Sequence, residues 1–221
     1  MVEFKTKAEI IEIFSSIQGE GIYVGQSQIF IRFARCNLNC SYCDTSAPTG
    51  VRELSSRQAL REISRLSRIR QSSGNKKILV SHVPTGFNKQ AGNFEVVSLT
   101  GGEPLVQAGF LEEFLPALKK AGYKTYLETN GTLVRSLARV IKWIDIIAMD
   151  LKLPSSTGQK GRWAKHSQFL QTIFALNKKT EVFVKVVVGS QTTEKDLKKA
   201  VSLVKKKESE IRSKIKPEVV I

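Results

Sequence analysis

The chain has three cysteines, and all of them lie within eight residues, as Cys36, Cys40 and Cys43. The spacing CxxxCxxC places three thiolates on one short loop, an arrangement that can wrap three corners of a four-iron cluster. Because iron–sulfur clusters are usually bound by four thiolates, three would leave one iron open to a small molecule. The loop therefore predicts a [4Fe–4S] cluster whose open iron binds a small molecule and passes it an electron.

Two other uses of cysteine fit this loop less well. A structural zinc ion needs four ligands, and the two histidines, His82 and His166, are distant in sequence. A disulfide framework needs an even number of cysteines and an oxidising compartment, but the number here is odd, and the first residues lack the apolar stretch of a signal peptide. Zinc remains the main alternative to the cluster.

The length of 221 residues is enough for one hydrophobic core, so we expect a single domain over residues 1–221. No apolar run approaches the roughly 18 residues that a membrane span needs. We therefore expect no membrane association and a cytoplasmic location, where thiolates stay reduced and can bind iron.

The formal net charge is +15, and much of it lies in two runs, at residues 52–89 and 195–216. Such runs can be solvated helix faces, a nucleic-acid surface, or a docking surface for an acidic electron-transfer protein. The charge alone does not choose between them. Nucleic acid is the partner we least expect, because aromatic residues are not interleaved with the basic ones.

Strand-like and helix-like patterns alternate along the chain. Strands are predicted at residues 8–14, 28–34, 94–99, 124–127, 144–151, 182–188 and from 217 onward. Helices are predicted at 54–69, 110–120, 133–143, 169–176 and 194–207, the first with Ser55 or Ser56 as its N-cap. The polar segment 71–93 is interpreted as an excursion from this plan.

From Gln28 onward these elements give six strands separated by five helical crossovers. Nearly continuous apolar strands are typical of a parallel sheet buried on both faces. No GxGxxG follows the first strand, which disfavours a dinucleotide-binding fold. We therefore predict an α/β fold, a partial (β/α)6 TIM-like barrel with an N-terminal strand extension and its site at the C-terminal ends of the strands.

Polar clusters follow four successive strands of this barrel. They are the cysteine loop, Thr100 to Pro104, Glu128 to Gly131, and Asp150 to Lys152. Each alone could be a turn or a helix cap. Together they occupy equivalent positions in parallel strands, so we expect them to meet at one edge of the sheet.

The cysteine motif, the aromatic residue before its last cysteine, and the GGEP sequence at residues 101–104 together resemble the radical S-adenosylmethionine superfamily. The resemblance implies that the cluster's open iron chelates S-adenosylmethionine, that reduction releases a 5′-deoxyadenosyl radical, and that no side chain is the catalyst. The resemblance also implies that a set of residues contacts the cofactor, namely Tyr42, Cys43, Asp44, Gly101, Gly102, Glu103, Asp150 and Lys152. The two glycines would let the backbone approach the methionyl group.

The N-terminal part resembles one family within this superfamily, the 7-carboxy-7-deazaguanine synthases, through SIQGEG at residues 16–21, FIRF at 30–33 and Cys43-Asp44-Thr45. These lyases contract 6-carboxy-5,6,7,8-tetrahydropterin to 7-carboxy-7-deazaguanine with loss of ammonia, in the biosynthesis of queuosine, a tRNA modification, and other 7-deazapurines. The implied substrate-binding residues are Ile17, Gln18, Gly19, Glu20, Arg32 and Thr100. Arg32 would bind the substrate carboxylate, and the Thr45 hydroxyl would help bind Mg²⁺.

Two alternatives remain open: an activating protein for glycyl-radical enzymes, and a basic nucleic-acid-binding protein with a structural metal. As partners we expect the pterin, a flavodoxin- or ferredoxin-type electron donor, and a second copy of the chain in a homodimer. The sequence ends at residues 217–221, within or just after the last predicted strand, so we expect a C-terminally truncated chain or a short homologue. His82 and His166 are expected to have no catalytic role.

Overall fold

The computed structural model describes residues 6–44, 50–72, 95–177, 179–210 and 215–217. The strands are β1 (Lys7–Ile17), β2 (Ser27–Phe33), β3 (Arg52–Ser55), β4 (Val96–Gly101), β5 (Lys124–Thr129), β6 (Ile146–Asp150), β7 (Glu181–Lys185) and β8 (Ile215–Pro217). The α-helices are α1 (Ser56–Ser72), α2 (Ala108–Lys120), α3 (Val134–Val140), α4 (Pro154–Thr157), α5 (Trp163–Leu176) and α6 (Glu194–Glu210). Short 3-10 helices cover Gly21–Tyr23, Pro104–Gln107 and Ile141–Trp143.

All eight strands belong to one sheet with the order β3-β1-β2-β4-β5-β6-β7-β8. In this order, the six strands from β2 to β8 are parallel to one another. Strand β1 pairs antiparallel with both β2 and β3. Six parallel strands with an antiparallel N-terminal extension confirm the predicted partial barrel. None of the described helices is long and apolar enough to cross a membrane.

The two faces of the sheet are used differently because side chains alternate along each strand. Val97, Leu99, Leu127 and Ile147 face the helices and form the large core with α2, α3 and α5. On the other face, a small apolar cluster of Val96, Tyr126, Ile146, Ala148 and Phe183 lies near the strand beginnings. Two residues further along β5 and β7, the same face carries Glu128 and Lys185, so its C-terminal end is polar.

The structure corrects several predicted boundaries. Leu54 lies in β3, a strand that the sequence analysis missed because its four residues merge with the helical pattern that follows. Helix α1 begins at Ser56, and Ser55 is its N-cap: the Gln58 backbone N–H donates to Ser55 Oγ (3.4 Å), and Ser55 N donates to Gln58 Oε1 (2.9 Å). This reciprocal pair is a capping box.

Other elements differ in length from the predictions. Helix α5 begins at Trp163, six residues before the predicted start, and the four-residue helix α4 was not predicted. Strand β7 ends at Lys185, and Ile141–Trp143 continues α3 as a 3-10 helix. The predicted excursion at 71–93 lies outside the described residues apart from the end of α1, as do the last four residues of the predicted final strand.

Candidate active site

A cavity of ≈ 560 Å³ opens at the C-terminal edge of the sheet. The predicted site residues that line it are Ile17, Gln18, Gly19, Glu20, Arg32, Cys36, Cys40, Tyr42, Cys43, Asp44, Thr100, Gly101, Gly102, Asp150 and Lys152. Of the two remaining predicted residues, Thr45 lies outside the described residues, and Glu103 is buried next to the cavity without lining it. The four polar clusters therefore meet at one edge, as predicted from the alternation of elements.

The cysteine loop is held on two sides by hydrogen bonds. On one side, Asn37 Nδ2 donates to Thr132 Oγ1 (2.9 Å), and Asn130 Nδ2 donates to Asn37 Oδ1 (2.9 Å). On the other side, the Ser41 backbone N–H donates to the carbonyl of Thr157 at the end of α4 (3.1 Å). The loop is thereby fixed to the segment that follows β5 and to helix α4, which follows β6.

The donor set of this loop fits an iron–sulfur cluster. All three thiols face one cavity, and burial raises the pKa of the Cys36 and Cys40 thiols, an effect that a bound metal opposes because it stabilises thiolates. Among the described residues, no three His, Cys, Asp or Glu side chains converge as the ligands of a single ion do. Cluster ligands bind separate irons, so they need no common centre.

Gly101 and Gly102 line the cavity, and the structure gives a packing reason for their lack of a side chain; their predicted approach to the methionyl group stays a prediction. A Cβ at Gly102 would lie 2.2 Å from the Arg35 carbonyl oxygen, and one at Gly101 would lie 2.4 Å from that of Phe33. Gly102 N donates to Phe33 O (2.9 Å), and Glu103 N donates to Arg35 O (2.7 Å). The glycines thus allow the turn after β4 to pack against the backbone that leads into the cysteine loop.

Glu103 supports this turn from inside the protein. Its carboxylate accepts hydrogen bonds from the backbone N–H of Leu105 (3.1 Å) and Asn130 (2.7 Å) and from Thr129 Oγ1 (2.9 Å). Burial raises the pKa of Glu103 to about 7, although these hydrogen bonds oppose the shift. Glu103 therefore shapes the turn through these hydrogen bonds, and its expected contact with cofactor amines stays a prediction.

Asp150 and Lys152 form a charged pair on the cavity wall, with Lys152 Nζ 2.8 Å from Asp150 Oδ2 and 3.0 Å from the Tyr42 hydroxyl. Burial disfavours the charge on Lys152, but Asp150 and Tyr42 together outweigh it and raise the Lys152 pKa. Among the described residues, no partner contacts the buried Asp150 Oδ1. Since buried polar atoms are usually hydrogen-bonded, this oxygen marks a place where a ligand group could bind.

A second polar group lies on the wall formed by β1, β4 and β5. Glu128 accepts hydrogen bonds from Gln18 Nε2 (2.9 Å) and Thr100 Oγ1 (2.8 Å). Gln18 is itself fixed, because its backbone N–H donates to Gln26 O (2.7 Å). The amide, hydroxyl and carboxylate groups are thus held in one arrangement.

Arg32 also lines this cavity, at the edge formed by β1 and β2. Its Nε donates to Glu12 Oε1 (2.8 Å), and the guanidinium lies over the Phe14 ring, 5.5 Å from its centroid. The strand alternation therefore turns Arg32 toward the cavity, as its predicted role requires. Binding a carboxylate there would compete with Glu12.

Comparison with known proteins identifies the family. The profile of the radical SAM superfamily matches residues 30–204. The chain belongs to this superfamily. It is 36% identical over 90% of its length to the 7-carboxy-7-deazaguanine synthase of Geobacter sulfurreducens, covering 77% of that protein. It is also 36% identical over 81% of its length to the synthase of Methanopyrus kandleri, covering 69%. Within the superfamily, it is a member of the 7-carboxy-7-deazaguanine synthase family.

The fold is similar to that of a solved structure. A solved structure of TYW1 with a bound lysine–pyruvate adduct has a TM-score of 0.52 and 18% sequence identity, covering 87% of this chain and 64% of that one. As a member of the radical SAM superfamily, the 221-residue chain is an enzyme whose cofactors are a [4Fe–4S] cluster and S-adenosylmethionine. As a member of the 7-carboxy-7-deazaguanine synthase family, it also uses Mg²⁺. The cofactors expected from the cysteine loop are thereby confirmed, whereas the individual residue roles stay predictions.

Two charged residues on the cavity wall of this radical SAM enzyme were missing from the predicted site. Glu128 stood in a recognised polar cluster but received no role, and Lys185 on β7 was not singled out. Lys185 is buried and pairs with Glu20. Burial disfavours its charge, but Glu128, Asp150 and Glu20 outweigh it and raise the Lys185 pKa. The available signal was a lysine two residues after Phe183, on the inner face of a strand.

His166 has the structural place expected of it in this family member. It lies in the first turns of α5, is fully buried, and its Nε2 is 3.1 Å from the carbonyl oxygen of Asn130. It does not line the cavity. His82 lies outside the described residues.

Proposed function

We propose that this enzyme converts 6-carboxy-5,6,7,8-tetrahydropterin to 7-carboxy-7-deazaguanine with loss of ammonia. The observation that carries the proposal is the division of the cavity into two walls. The first wall is Tyr42 of the cysteine loop with Lys152 and Asp150, which are joined by hydrogen bonds. The second wall is Glu128 with its donors Gln18 and Thr100, and Arg32 lines the same cavity. When bound, the cluster and S-adenosylmethionine supply the one-electron chemistry that allows hydrogen abstraction from a substrate held between these walls.

The second wall has the donors and acceptors that a pterin needs. A pterin ring presents N–H donors beside a carbonyl acceptor, which match a carboxylate such as Glu128 and an amide such as Gln18. Because Gln18 and Thr100 already donate to Glu128, its carboxylate is oriented before substrate arrives. Such orientation reduces the entropy lost on binding. Arg32 would bind the carboxylate at the other end of the substrate.

Lys185 and Lys152 keep two positive charges inside the cavity. Lys185 Nζ is bonded to Glu20, and Lys152 Nζ to Asp150. We propose that the Lys152–Asp150 pair binds the ribose or the methionyl carboxylate of S-adenosylmethionine. Lys185 would hold Glu20, and with it the neighbouring Gln18, in position for the substrate. Both lysines are largely buried, with side-chain exposures of 16% for Lys152 and 10% for Lys185. Water therefore screens the Lys152–Asp150 pair weakly, whereas Glu20 is exposed and its charge is screened.

The proposal includes further partners and a location. Thr45 would contribute its hydroxyl to Mg²⁺ beside the substrate carboxylate, as the resemblance to the synthases implies. A flavodoxin- or ferredoxin-type protein would supply the electron, the enzyme would be cytoplasmic, and two copies would form a homodimer. The synthase names of the relatives favour this function over an activating protein for glycyl-radical enzymes.

The test is turnover by the anaerobically reconstituted protein with the pterin, S-adenosylmethionine, Mg²⁺ and dithionite. We expect 7-carboxy-7-deazaguanine and 5′-deoxyadenosine by mass spectrometry. Glu128→Gln should lower kcat/KM for the pterin by at least about tenfold, since a hydrogen bond to a charged group contributes about 1.5–3 kcal/mol. It should leave iron content unchanged.

Glu112→Gln is the matched control, because it makes the same chemical change on the exposed surface of α2. It should leave kcat/KM unchanged. The proposal is wrong if the wild-type protein, with its full iron content, cleaves S-adenosylmethionine but forms no 7-carboxy-7-deazaguanine. Equal effects of the two glutamine variants would remove Glu128 from the substrate site.

A further inference from the structure

The linker between α4 and α5 lies beside Cys40, one of the predicted cluster ligands. Gln159 Nε2 lies 4.0 Å from Cys40 Sγ, and Arg162 Nη2 donates to Gln159 Oε1 (3.4 Å). Gln159 is only partly buried, and its neighbour Lys160 is exposed. A protein docked on this linker would therefore be separated from the Cys40 thiol by a single side chain.

The surface around the linker is positively charged. Residues 158–176 contain no Asp or Glu, and in the described part of the chain neither Lys160 nor Lys165 forms an ion pair. Helix α6 adds Lys199 beside them, because Lys199 Nζ lies over the Trp163 ring, 4.7 Å from its centroid. The residues that we group as the basic patch are Lys160, Arg162, Lys165 and Lys199.

The patch is held in a fixed position relative to the cysteine loop. Gly158 ends α4 in a left-handed conformation, with φ of +69°, and a Cβ at Gly161 would lie 2.5 Å from Trp163 Nε1. The Ser155 backbone N–H donates to Asp196 Oδ2 (2.9 Å), which joins α4 to α6. Since Ser41 of the cysteine loop is bonded to the same helix α4, one set of contacts links loop, linker and α6.

We propose that the basic patch is the docking surface for an acidic one-electron donor protein of the flavodoxin type. In this complex one electron leaves the donor's reduced flavin, which is oxidised by one electron, and the cluster accepts it. Complementary charge suits such a partner because it speeds encounter and fixes orientation in a small, transient interface. The inference rests on the proposed function only in requiring a cluster that must be reduced.

The basic run at residues 52–89 is less well placed for docking a donor near the cysteine loop. Arg61 and Arg65 are exposed on α1, but the helices pack in the order α1, α2, α3, α5, α6. Helix α1 therefore lies at the opposite end of the helical layer from the patch. Its charges raise the overall attraction of acidic proteins without placing one beside Gln159.

The test compares two double charge reversals in the reconstituted holoenzyme. Lys160→Glu/Lys165→Glu changes the patch, and Arg61→Glu/Arg65→Glu makes the same change in net charge on α1. Binding of a purified acidic flavodoxin is measured by isothermal titration calorimetry at two salt concentrations. 5′-Deoxyadenosine formation is measured with reduced flavodoxin and, separately, with dithionite, and iron content per chain is recorded for each protein.

We expect the patch reversal to weaken flavodoxin binding by roughly tenfold or more at low salt, in line with the size of electrostatic steering, and to reduce the salt dependence. Flavodoxin-supported turnover should fall correspondingly, whereas dithionite-supported turnover and iron content should not change. The α1 reversal should leave binding within about twofold of wild type. Equal losses from the two reversals, or none from the patch reversal, would overturn the proposal.

Failure of the proposed function would look different. The wild-type protein would then form no deazaguanine product with dithionite, while the difference in flavodoxin binding between the two reversals would persist. A loss of dithionite-supported turnover in the patch reversal alone would also overturn the docking role, because it would show that these lysines act on the chemistry rather than on the donor.

Discussion

Two buried titratable side chains meet at the backbone of Asn130. The Glu103 carboxylate accepts from Asn130 N–H (2.7 Å), and His166 Nε2 lies 3.1 Å from Asn130 O. A carbonyl can only accept, so the Nε2–H tautomer of His166 is the donor. Asn130 in turn binds Asn37 of the cysteine loop. These residues hold the loop from below without lining the cavity themselves, apart from Asn130.

At this scale, the stability of the protein should depend on the protonation of His166. Burial lowers its pKa to about 4, below the value near 6.5 expected in the unfolded chain. The unfolded chain then binds a proton more tightly, so the His166 contribution is fully present above pH 6.5 and is lost as the pH falls toward 4. The difference in His166 pKa between the folded and unfolded states corresponds to roughly 3 kcal/mol in the free energy of unfolding.

His166→Gln keeps a donor for Asn130 but cannot titrate. The difference in free energy of unfolding between wild type and this variant, measured by urea titration, should shrink by up to roughly 3 kcal/mol between pH 7 and pH 4. His82→Gln reads the contribution of the other histidine in the same way. A wild-type-minus-variant difference that stays constant with pH would contradict the buried neutral state of His166.

At the scale of single elements, the cysteine loop depends on its neighbours for its shape. Its eight residues have no regular secondary structure apart from a turn, so hydrogen bonds from outside the loop must hold the three thiols in place. Asn37 bonds to the segment after β5, and Ser41 bonds to α4. The preorganisation of the cluster site is therefore a property of the barrel and not of the loop alone.

Asn37→Ala should loosen this arrangement while leaving the thiols unchanged. It removes one donor to Thr132 Oγ1 and one acceptor for Asn130 Nδ2. Changes to groups that orient metal ligands typically cost about 10–100-fold in metal affinity, so we expect iron release to a chelator to accelerate by at least about tenfold. Absorbance of the reconstituted protein at the cluster band follows the release.

Asn177→Ala is the control for this change, because Asn177 Nδ2 also donates to the backbone, at Ile141 O (3.0 Å), but far from the loop. It should lower stability slightly and leave the rate of iron release close to wild type. If Asn37→Ala also released iron at the wild-type rate, the loop would have to hold its own shape.

At the scale of the whole molecule, the inner face of the sheet is built in two layers. Tyr126 and Phe183 fill the layer near the strand beginnings, with Tyr23 of the Gly21–Tyr23 helix packed against both rings. Glu128 and Lys185, two residues further along the same strands, belong to the cavity wall. The apolar layer is thus the floor of the cavity, and it supports the segment that carries Gln18 and Glu20.

Removal of Phe183 should therefore affect both stability and substrate binding. Phe183→Ala should lower the free energy of unfolding by about 3–5 kcal/mol, the usual cost of such a buried cavity. Since Gly21 packs directly against the Phe183 ring, the segment above the floor should also move, and KM for the pterin should rise several-fold. Chemical denaturation and steady-state kinetics give the two quantities.

Phe174→Ala provides the comparison, because Phe174 belongs to the large core on the helix side of the sheet. It should lower stability to a similar degree without changing KM. An unchanged KM in Phe183→Ala, at a temperature where the variant is folded, would show that the floor does not position the substrate segment.

The sequence by itself determined the features that depend on neighbouring residues. The spacing of Cys36, Cys40 and Cys43, the alternation of apolar strands with amphipathic helices, and the polar clusters after four strands are all local patterns. Parallel strands place such clusters at one edge, so fold class, cofactor and the position of the site followed from them. The family resemblance rested on further local motifs: GGEP at residues 101–104, SIQGEG at 16–21, FIRF at 30–33 and Cys43-Asp44-Thr45.

The tertiary structure decided which residues complete the site and why others are there. Lys185 lies on the cavity wall only because β7 follows β6 in the sheet, and Gly102 is a glycine because the Arg35 carbonyl lies against it. The approach of Gln159 to Cys40 joins residues 119 positions apart. Strand order, register and packing between distant segments set these contacts, and no pattern confined to neighbouring residues encodes them.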